Sequence, residues 1–308
     1  MAEVRRLLAA SDLSAGAGRA LARAVELASR HRARLTVLHV VEAGAEGATP
    51  QMLEAQANAA EAALRLEIDP LLLRFAGSDP LDVDIRVVPG RDFEQIIEQA
   101  RADEADLVVL GARGAHSVRD LFVGTTAERV LRLGDRPVLV VKRVPRNGYR
   151  RVLVPVDFSE ASRLALDFAL ALAPTASIRV LHVVDPGLEP ALRQTGATDA
   201  EIEAYRRERI EAGERDLARF LEGARAETAP EGRRPALDAS VESGRPEAVI
   251  PAAVRRLRAN LVVMGTRGRT ASPRLLLGSV AEHVVRDARC DVLAVRSAPA
   301  EPWRPVAW

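Results

Sequence analysis

The sequence predicts an α/β fold: two tandem domains, each with a five-stranded parallel sheet and helices on both faces. First, the 308-residue chain repeats itself, since Val37–Val41 and Val180–Val184 both read VLHVV. Second, short β-branched runs alternate with long helical patterns in each half, which is typical of βαβ units. Third, runs such as Leu107–Leu110 are apolar throughout, as expected where helices cover both faces of a sheet.

The repeat extends over both halves and indicates a tandem duplication. The segment Leu107–Gly114 (LVVLGARG) returns as Leu261–Gly268 (LVVMGTRG), and Asp12-Leu13-Ser14 returns as Asp157-Phe158-Ser159. We therefore predict one domain over residues 1–144, a second over 149–297 and a C-terminal tail over 298–308. The turn-prone residues between them suit a short linker.

The periodicity places the elements in the same order in both halves. In the first half we predict strands near 5–10, 35–40, 82–88, 106–110 and 137–142, and helices near 16–31, 51–75, 92–103 and 124–133. In the second half we predict strands near 151–156, 177–183, 237–242, 260–264 and 291–296, and helices near 160–172, 199–224, 246–258 and 279–288. Ligands of such folds bind at the carboxyl ends of the strands, so those ends hold the candidate sites.

Composition narrows the class of function. The chain is 48% hydrophobic and 28% charged, which excludes a disordered protein, and its net charge of +1 provides no field that favours nucleic acid or an anionic membrane. The single cysteine, Cys290, excludes a disulfide framework. No apolar run is long enough to cross a bilayer, and Leu7–Ala10 is too short for the core of a signal peptide. We expect a cytoplasmic protein with neither a nucleic-acid nor a membrane partner.

A glycine motif follows the fourth predicted strand of each half. It reads G-x2-G-x9-G-[S/T] in both copies, with glycines at Gly111, Gly114 and Gly124 and again at Gly265, Gly268 and Gly278. Glycine adopts positive φ and allows a ligand to approach the main chain, and the helix that follows has an N-terminus that favours an anion. The hydroxyl of Thr125 or Ser279 can cap that helix or contact a phosphate. The motif predicts a phosphate cradle, although glycines that only shape the loops would give the same pattern.

With an Asp at the end of the first strand and His-Val-Val at the end of the second, the motif resembles the universal stress protein family. The resemblance covers two complete copies, which is nearly the whole chain. It implies the strand order 3-2-1-4-5 in each half and membership of the ATP-binding branch. The implied cofactor is ATP, with Mg²⁺ carried by the nucleotide.

The resemblance also implies the site residues. In the second half they are Pro155, Val156, Asp157, Val183, Gly265, Arg267, Gly268, Gly278, Ser279 and Val280. In the first half they are Ala10, Ser11, Asp12, Val40, Gly111, Arg113, Gly114, Gly124, Thr125 and Thr126. The first half departs from the second at Ala10-Ser11, where Pro155-Val156 would offer a rigid apolar wall to adenine. We therefore expect the second half to hold the stronger site.

Several of these residues have a second interpretation. Asp12 and Asp157 can cap the first helix of their domain, which is compatible with a nucleotide contact. His39 and His182 recur within apolar strands and are interpreted as partly buried structural residues. The lone lysine, Lys142, ends a strand, so a Walker A loop is absent. No catalytic or metal-binding set is recognised, and slow ATP hydrolysis stays open.

The sequence predicts a nucleotide-responsive stress protein in which ATP occupancy changes the stability or the partner surface of the domains. The alternative is an interaction module with vestigial glycine loops. By resemblance, the halves are expected to pair as an intramolecular pseudo-dimer through their fifth strands, Val138–Val141 and Val292–Val295, which are apolar. Pairing two such edges would protect both from association. A homodimer of tandem chains is left open.

Overall fold

The computed structural model describes residues 4–41, 49–76, 79–114, 124–227, 236–266, 268 and 277–296. Arg267 and the tail predicted over 298–308 lie outside these ranges. The chain divides into two compact units. One consists of Glu3–Gly148 together with the segment from Cys290 onward, and the other of Tyr149–Arg289.

The first half alternates strands and helices as its periodicity predicts. Its elements are β1 (Arg6–Ala10), α1 (Ala15–His31), β2 (Arg34–Val41), α2 (Pro50–Phe75), β3 (Val83–Pro89), α3 (Asp92–Ala102), β4 (Leu107–Gly111), α4 (Thr125–Leu133) and β5 (Val138–Val141). Strands β4 and β5 are buried along nearly their whole length, which accounts for their unbroken apolar sequence.

The second half repeats this order with one added helix. Its elements are β6 (Arg151–Val156), α5 (Glu160–Leu172), β7 (Ser177–Val184), α6 (Glu189–Gln194), α7 (Asp199–Glu227), β8 (Ala236–Ser243), α8 (Pro246–Leu257), β9 (Leu261–Gly265), α9 (Ser279–Asp287) and β10 (Asp291–Val295). The short helix α6 was not predicted, because its single turn carries no apolar periodicity. Helix α7 begins after a reciprocal capping box in which Thr198 and Glu201 each bond the backbone N–H of the other.

The sheets confirm the predicted α/β class and the two tandem domains. The first half has the strand order β3-β2-β1-β4-β5, with every one of these neighbours parallel. In the second unit the order β8-β7-β6-β9 repeats the first four positions, again in parallel. Because β1 lies between β2 and β4, and β6 between β7 and β9, strand order reverses beside these central strands, where a crevice forms at the strand tips.

Strand β10 lies in the same compact unit as the first half and pairs antiparallel with β5, Leu293 opposite Leu139. The two strands that the sequence predicts to meet are therefore paired. The buried carboxylate of Asp291 accepts the N–H groups of Lys142 and Arg143 at 2.8 and 3.1 Å. Its second oxygen lies 3.5 Å from the Arg23 guanidinium on α1, which is also buried.

Candidate functional site

The second unit contains a cleft of about 340 Å³ at the carboxyl ends of β6, β7 and β9. It is lined by nine of the ten residues predicted for this domain, namely Pro155, Val156, Asp157, Val183, Gly265, Gly268, Gly278, Ser279 and Val280. The tenth, Arg267, lies outside the described residues. Residues from separate strand ends and from the start of α9 thus surround one cleft at the predicted edge of the sheet.

An apolar wall completes the cleft, and it was not predicted. Leu181 and Met264 contribute from β7 and β9, whereas Pro246 and Ile250 contribute from the first two turns of α8. Their apolar pattern is the same as that of ordinary core residues, so the sequence carries no signal that separates them from the core. The wall gives the cleft a surface on which a flat apolar group can pack.

Asp157 is held in a tight turn at the tip of β6. Its Oδ1 accepts the backbone N–H and the hydroxyl of Ser159 at 3.1 and 2.5 Å. Ser159 is the residue that caps α5, because its side chain accepts the N–H of Ser162 at 3.2 Å. Asp157 therefore orders the loop before the helix, and the interpretation of this residue as the helix cap is wrong.

The motif glycines are needed for close approach of the chain. Among the described glycines, positive φ occurs at Gly90, Gly187, Gly196 and Gly244, none of which belongs to the motif. A Cβ at Gly268 would lie 2.7 Å from Oδ2 of Asp157, and one at Gly265 would lie 2.8 Å from Cβ of Ala161. Both distances are shorter than van der Waals contact. Close approach, rather than positive φ, is thus the property of glycine that these two positions use.

The start of α9 opens towards this loop. Gly278 is the N-cap residue, and the described residues provide no side-chain hydrogen bond that caps the helix. The N–H of Gly278 donates to the carbonyl of Thr266 at 2.8 Å, which joins the two ends of the glycine loop. The hydroxyl of Ser279 does not serve as the cap, contrary to one of its two interpretations. The first-turn N–H groups of α9 remain available to an anion.

The recurring histidines have the structural role predicted for them. His182 on β7 bonds the carbonyl of Val156 through Nδ1 at 2.9 Å, and its ring stacks on Phe158 with centroids 4.3 Å apart. His39 makes the corresponding bond to the carbonyl of Ser11 at 2.8 Å. Each histidine therefore fixes the backbone at the tip of its central strand.

The first domain reproduces the backbone of this site. Asp12 accepts the N–H of Ser14 at 3.1 Å, and Ser14, rather than Asp12, caps α1. A Cβ at Gly114 would lie 2.5 Å from Oδ2 of Asp12. Gly124 is the N-cap of α4, also without a side-chain cap, and its N–H donates to the carbonyl of Ala112 at 2.8 Å. Thr125 is thus the first residue of α4 and not its cap.

The remaining residues predicted for the first domain lie nearby along the same strand ends. Ala10 ends β1, Val40 is next to last in β2, and Gly111 ends β4. Ser11 is buried, and its hydroxyl accepts the N–H of Leu13 at 3.1 Å. Arg113 lies in the glycine loop, where its carbonyl oxygen would overlap a Cβ at Gly16. The second domain has Ala161 at the position of Gly16, so the loop approaches the first helix more closely in the first domain.

Two acidic side chains, Asp92 and Glu67, lie near the corresponding site of the first domain. The hydroxyl of Thr126 donates to Asp92 at the start of α3. The corresponding residues of the second domain, Val280 and Pro246, are apolar and line the cleft. Glu67 on α2 has a pKa raised above its ordinary value, first by burial and second by the negative charge of Asp12. The surroundings of the first domain are therefore unfavourable to an anionic ligand.

Metal-binding clusters and membrane-spanning helices are both absent from the described residues. No group of three or more His, Cys, Asp or Glu side chains there could hold a metal ion. No helix in the described part of the chain is both long and apolar enough to cross a membrane.

Comparisons with known proteins agree with this architecture. The model of the universal stress protein family matches twice, over residues 3–142 and 148–296. A universal stress protein of Methanocaldococcus jannaschii is 30% identical over 168 residues, covering 53% of this chain and 92% of that protein. The crystal structure of a universal stress protein from Archaeoglobus fulgidus has a TM-score of 0.65 at 20% identity and covers 95% of this chain and 98% of that one. A functionally unknown protein from Pseudomonas aeruginosa has a TM-score of 0.62 at 20% identity, with 95% and 92% covered.

Proposed function

Since the chain belongs to the universal stress protein family, we propose that its second domain binds ATP in the cleft at the strand tips. The protein then acts as a nucleotide-responsive stress protein, in which ATP occupancy changes the stability or the partner surface of the domains. One observation carries the proposal: nine predicted residues from separate segments line a single cleft at an uncapped helix N-terminus.

The apolar side of the cleft fits the adenosine portion. Val156 is 5% exposed and Leu181 is 1% exposed, so both present a fixed apolar surface rather than mobile side chains. Pro155 adds a ring whose φ is fixed. Asp157 lies at the same strand tip, where its carboxylate can accept hydrogen bonds from an amine or hydroxyl of the nucleoside.

The glycine side of the cleft fits the phosphates. The close approaches at Gly265 and Gly268 leave no room for side chains, so a ligand there would meet the main chain. The free N–H groups of α9 and its dipole favour negative charge by up to about 1 kcal/mol at an accessible site. The described residues form no acidic metal cluster, so Mg²⁺ would arrive with the nucleotide.

The first domain is proposed as the weaker site. The described backbone bonds of its glycine loop match those of the second domain, but Asp92 and Glu67 add carboxylates to its surroundings. Ala10 and Ser11 also replace the apolar pair Pro155 and Val156. The added negative charge and the lost apolar surface both reduce affinity for an anionic nucleotide.

The proposed activity is binding rather than rapid turnover, because Asp157, the one titratable side chain among the described lining residues, is engaged by Ser159. The alternative is an interaction module in which the glycine loops are vestigial. An ATP-dependent transferase or ligase would require an acceptor site, and no lining residue suggests one.

An equilibrium ATP titration with stoichiometry tests the proposal. We expect one tight event per chain, and a second that is at least about tenfold weaker or absent. No binding at millimolar ATP would favour the interaction module. Release of phosphate at several turnovers per second, which is typical of dedicated enzymes, would refute the non-enzymatic function.

The antiparallel pair of β5 and β10 supports an intramolecular pseudo-dimer of the two halves. Disruption of that pair should promote association between chains, since each apolar strand would then expose an edge. A homodimer of tandem chains remains a prediction, which sedimentation of the purified protein at several concentrations would test.

A further inference from the structure

Thr266 is a buried polar residue with an unusual environment. It follows Gly265 in the glycine loop, lines the cleft and is 2% exposed. Its hydroxyl oxygen has no hydrogen-bond partner in the part of the chain that the structure describes. Its backbone carbonyl, in contrast, is engaged by the N–H of Gly278 at 2.8 Å.

A buried hydroxyl without a partner is unfavourable, because it has lost its hydrogen bonds to water and gained none in return. An apolar residue of the same shape, valine, would avoid this cost. The presence of threonine therefore has no structural explanation in the ligand-free protein. A ligand that brings a hydrogen-bonding group into the cleft would remove the cost.

The location of Thr266 indicates which part of a ligand it meets. Its carbonyl bonds Gly278, the N-cap of α9, so the residue lies on the glycine side of the cleft. The first domain has Ala112 at the corresponding position, with the same backbone bond to Gly124. The hydroxyl is thus an addition specific to the second domain, on the side where its helix N-terminus favours an anion.

We propose that the Thr266 hydroxyl donates a hydrogen bond to a phosphate oxygen of the bound nucleotide and determines the preference of this site for phosphorylated ligands. The inference rests on the proposed function of the same cleft. It adds a side-chain donor to a cradle otherwise formed by backbone N–H groups, and it distinguishes the second domain from the first.

The test compares Thr266→Val with Thr266→Ser in the full chain, using ATP, ADP and adenosine as ligands. Thr266→Val should lower the affinity for ATP and ADP by about tenfold, since a hydrogen bond to a charged group is lost. It should change the affinity for adenosine by less than about twofold. Thr266→Ser keeps the hydroxyl, so its affinity for each of the three ligands should stay within about threefold of that of the native protein.

Thermal unfolding without ligand gives an independent readout. Thr266→Val should raise the melting temperature by about 2 °C, because it removes an unpartnered hydroxyl. Ser162→Ala is the matched control in the same cleft. The Ser162 hydroxyl donates to the carbonyl of Ser159 at 2.9 Å, so its removal should lower the melting temperature.

The outcomes separate this inference from the proposed function. If the native protein binds ATP and Thr266→Val binds it equally well, the role of Thr266 is refuted and nucleotide binding stands. A lower melting temperature for Thr266→Val would also refute it, because the hydroxyl would then serve the ligand-free fold. If the native protein binds no adenine nucleotide, both proposals are wrong.

Discussion

The two domains have the same backbone at their strand tips and different side chains around it. In both, an Asp orders the loop after the central strand and a serine caps the following helix. In both, a backbone bond between a loop residue and the next N-cap glycine joins the ends of the glycine loop. The differences lie at the starts of α3 and α4 in the first domain and of α8 and α9 in the second. Proline and valine line the cleft in the second domain, whereas Asp92 bonds Thr126 in the first.

This contrast shows that the glycine motif sets the shape of the loop but does not decide which ligand fits. The close approaches of Gly111 to Gly16 and of Gly265 to Ala161 require glycine whether or not a nucleotide binds. Polarity at the cleft walls is determined elsewhere, by residues on α3, α8 and the central strands. The comparison can be tested by exchanging residues between the domains.

The largest expected effect concerns stability, at a buried ion pair that only the first unit contains among the described residues. Asp291→Ala should lower the free energy of unfolding by about 3 kcal/mol, because the N–H groups of Lys142 and Arg143 would lose this acceptor. The buried Arg23 guanidinium would also lose one carboxylate while keeping Glu26. Urea denaturation measures the change. Pro137→Ala at the corresponding position of the first half is the control, and it should cost less than about 1 kcal/mol. Equal losses would show that the ion pair has no special role.

The next effect concerns the glycine cradle. Gly268→Val should weaken ATP binding by about a hundredfold, or 2.7 kcal/mol, because its side chain would displace Asp157 and occupy the ligand's space. Gly114→Val makes the same change in the first domain and should change the affinity of the tight binding event by less than about threefold. Calorimetric titration compares the two variants. The ranking of the sites is reversed if Gly114→Val alone removes the tight event.

The adenosine end is tested by giving the second domain the residues of the first. The double change Pro155→Ala and Val156→Ser should cost about 2 kcal/mol, some thirtyfold in affinity, through lost apolar surface. The reverse double change, Ala10→Pro and Ser11→Val, is the control and should leave the tight event of the second domain in place. An unchanged affinity after the first double change would place the adenosine portion away from this wall.

Exchange of the residues at the starts of α3 and α4 should produce a smaller change, a gain in the affinity of the first domain. In a Gly268→Val background, the double change Asp92→Pro and Thr126→Val should strengthen the remaining first-domain binding by about tenfold. It removes one carboxylate and restores the apolar pair found in the second domain. Proline is compatible with the first turn of a helix, as Pro246 in α8 shows. Failure to gain affinity would show that charge at α3 does not limit this site.

The smallest effect is a pH dependence of stability. The raised pKa of Glu67 means that folding disfavours its ionised form, so its contribution to stability declines as pH rises through that pKa. Glu67→Gln should therefore raise stability at pH 7 and have little effect well below 4.5, the ordinary pKa of a glutamate. Glu61→Gln, on the exposed side of α2, is the control. A gain from Glu67→Gln that is equal at both pH values would exclude ionisation as its cause.

The fold could be predicted from the sequence because the duplication presents the pattern of nearly every element twice. Two copies with the same alternation of strands and helices leave little freedom for a different class. Helix α6 was missed, since one turn on the surface gives no periodicity, and α7 extends to Glu227, three residues beyond its predicted end. The Glu189–Arg206 ion pair joins α6 to α7 and is a tertiary contact that the local pattern does not reveal.

The candidate site was predicted in position but not in full composition. The motif gave the glycines and strand tips, since their spacing is preserved in the chain. It did not give Ile250 or Thr266, because which face of a helix or loop meets a cleft depends on packing. Nor did it give the Asp92–Thr126 bond, which joins two helices far apart in sequence. The N-cap role of Ser14 and Ser159 was missed because a neighbouring Asp offered an equally good candidate.

The membership of β10 in the first compact unit has a consequence for biosynthesis. Strand β5 is complete when less than half of the chain has been translated, yet its antiparallel partner is made about 150 residues later. At roughly 10 residues per second, the ribosome needs about 15 seconds to supply that partner. Throughout this interval β5 lacks the strand that covers its edge, and an apolar edge can pair with other nascent chains. The earlier domain therefore depends on the later one for its completion, and a pause in translation between them prolongs its exposure.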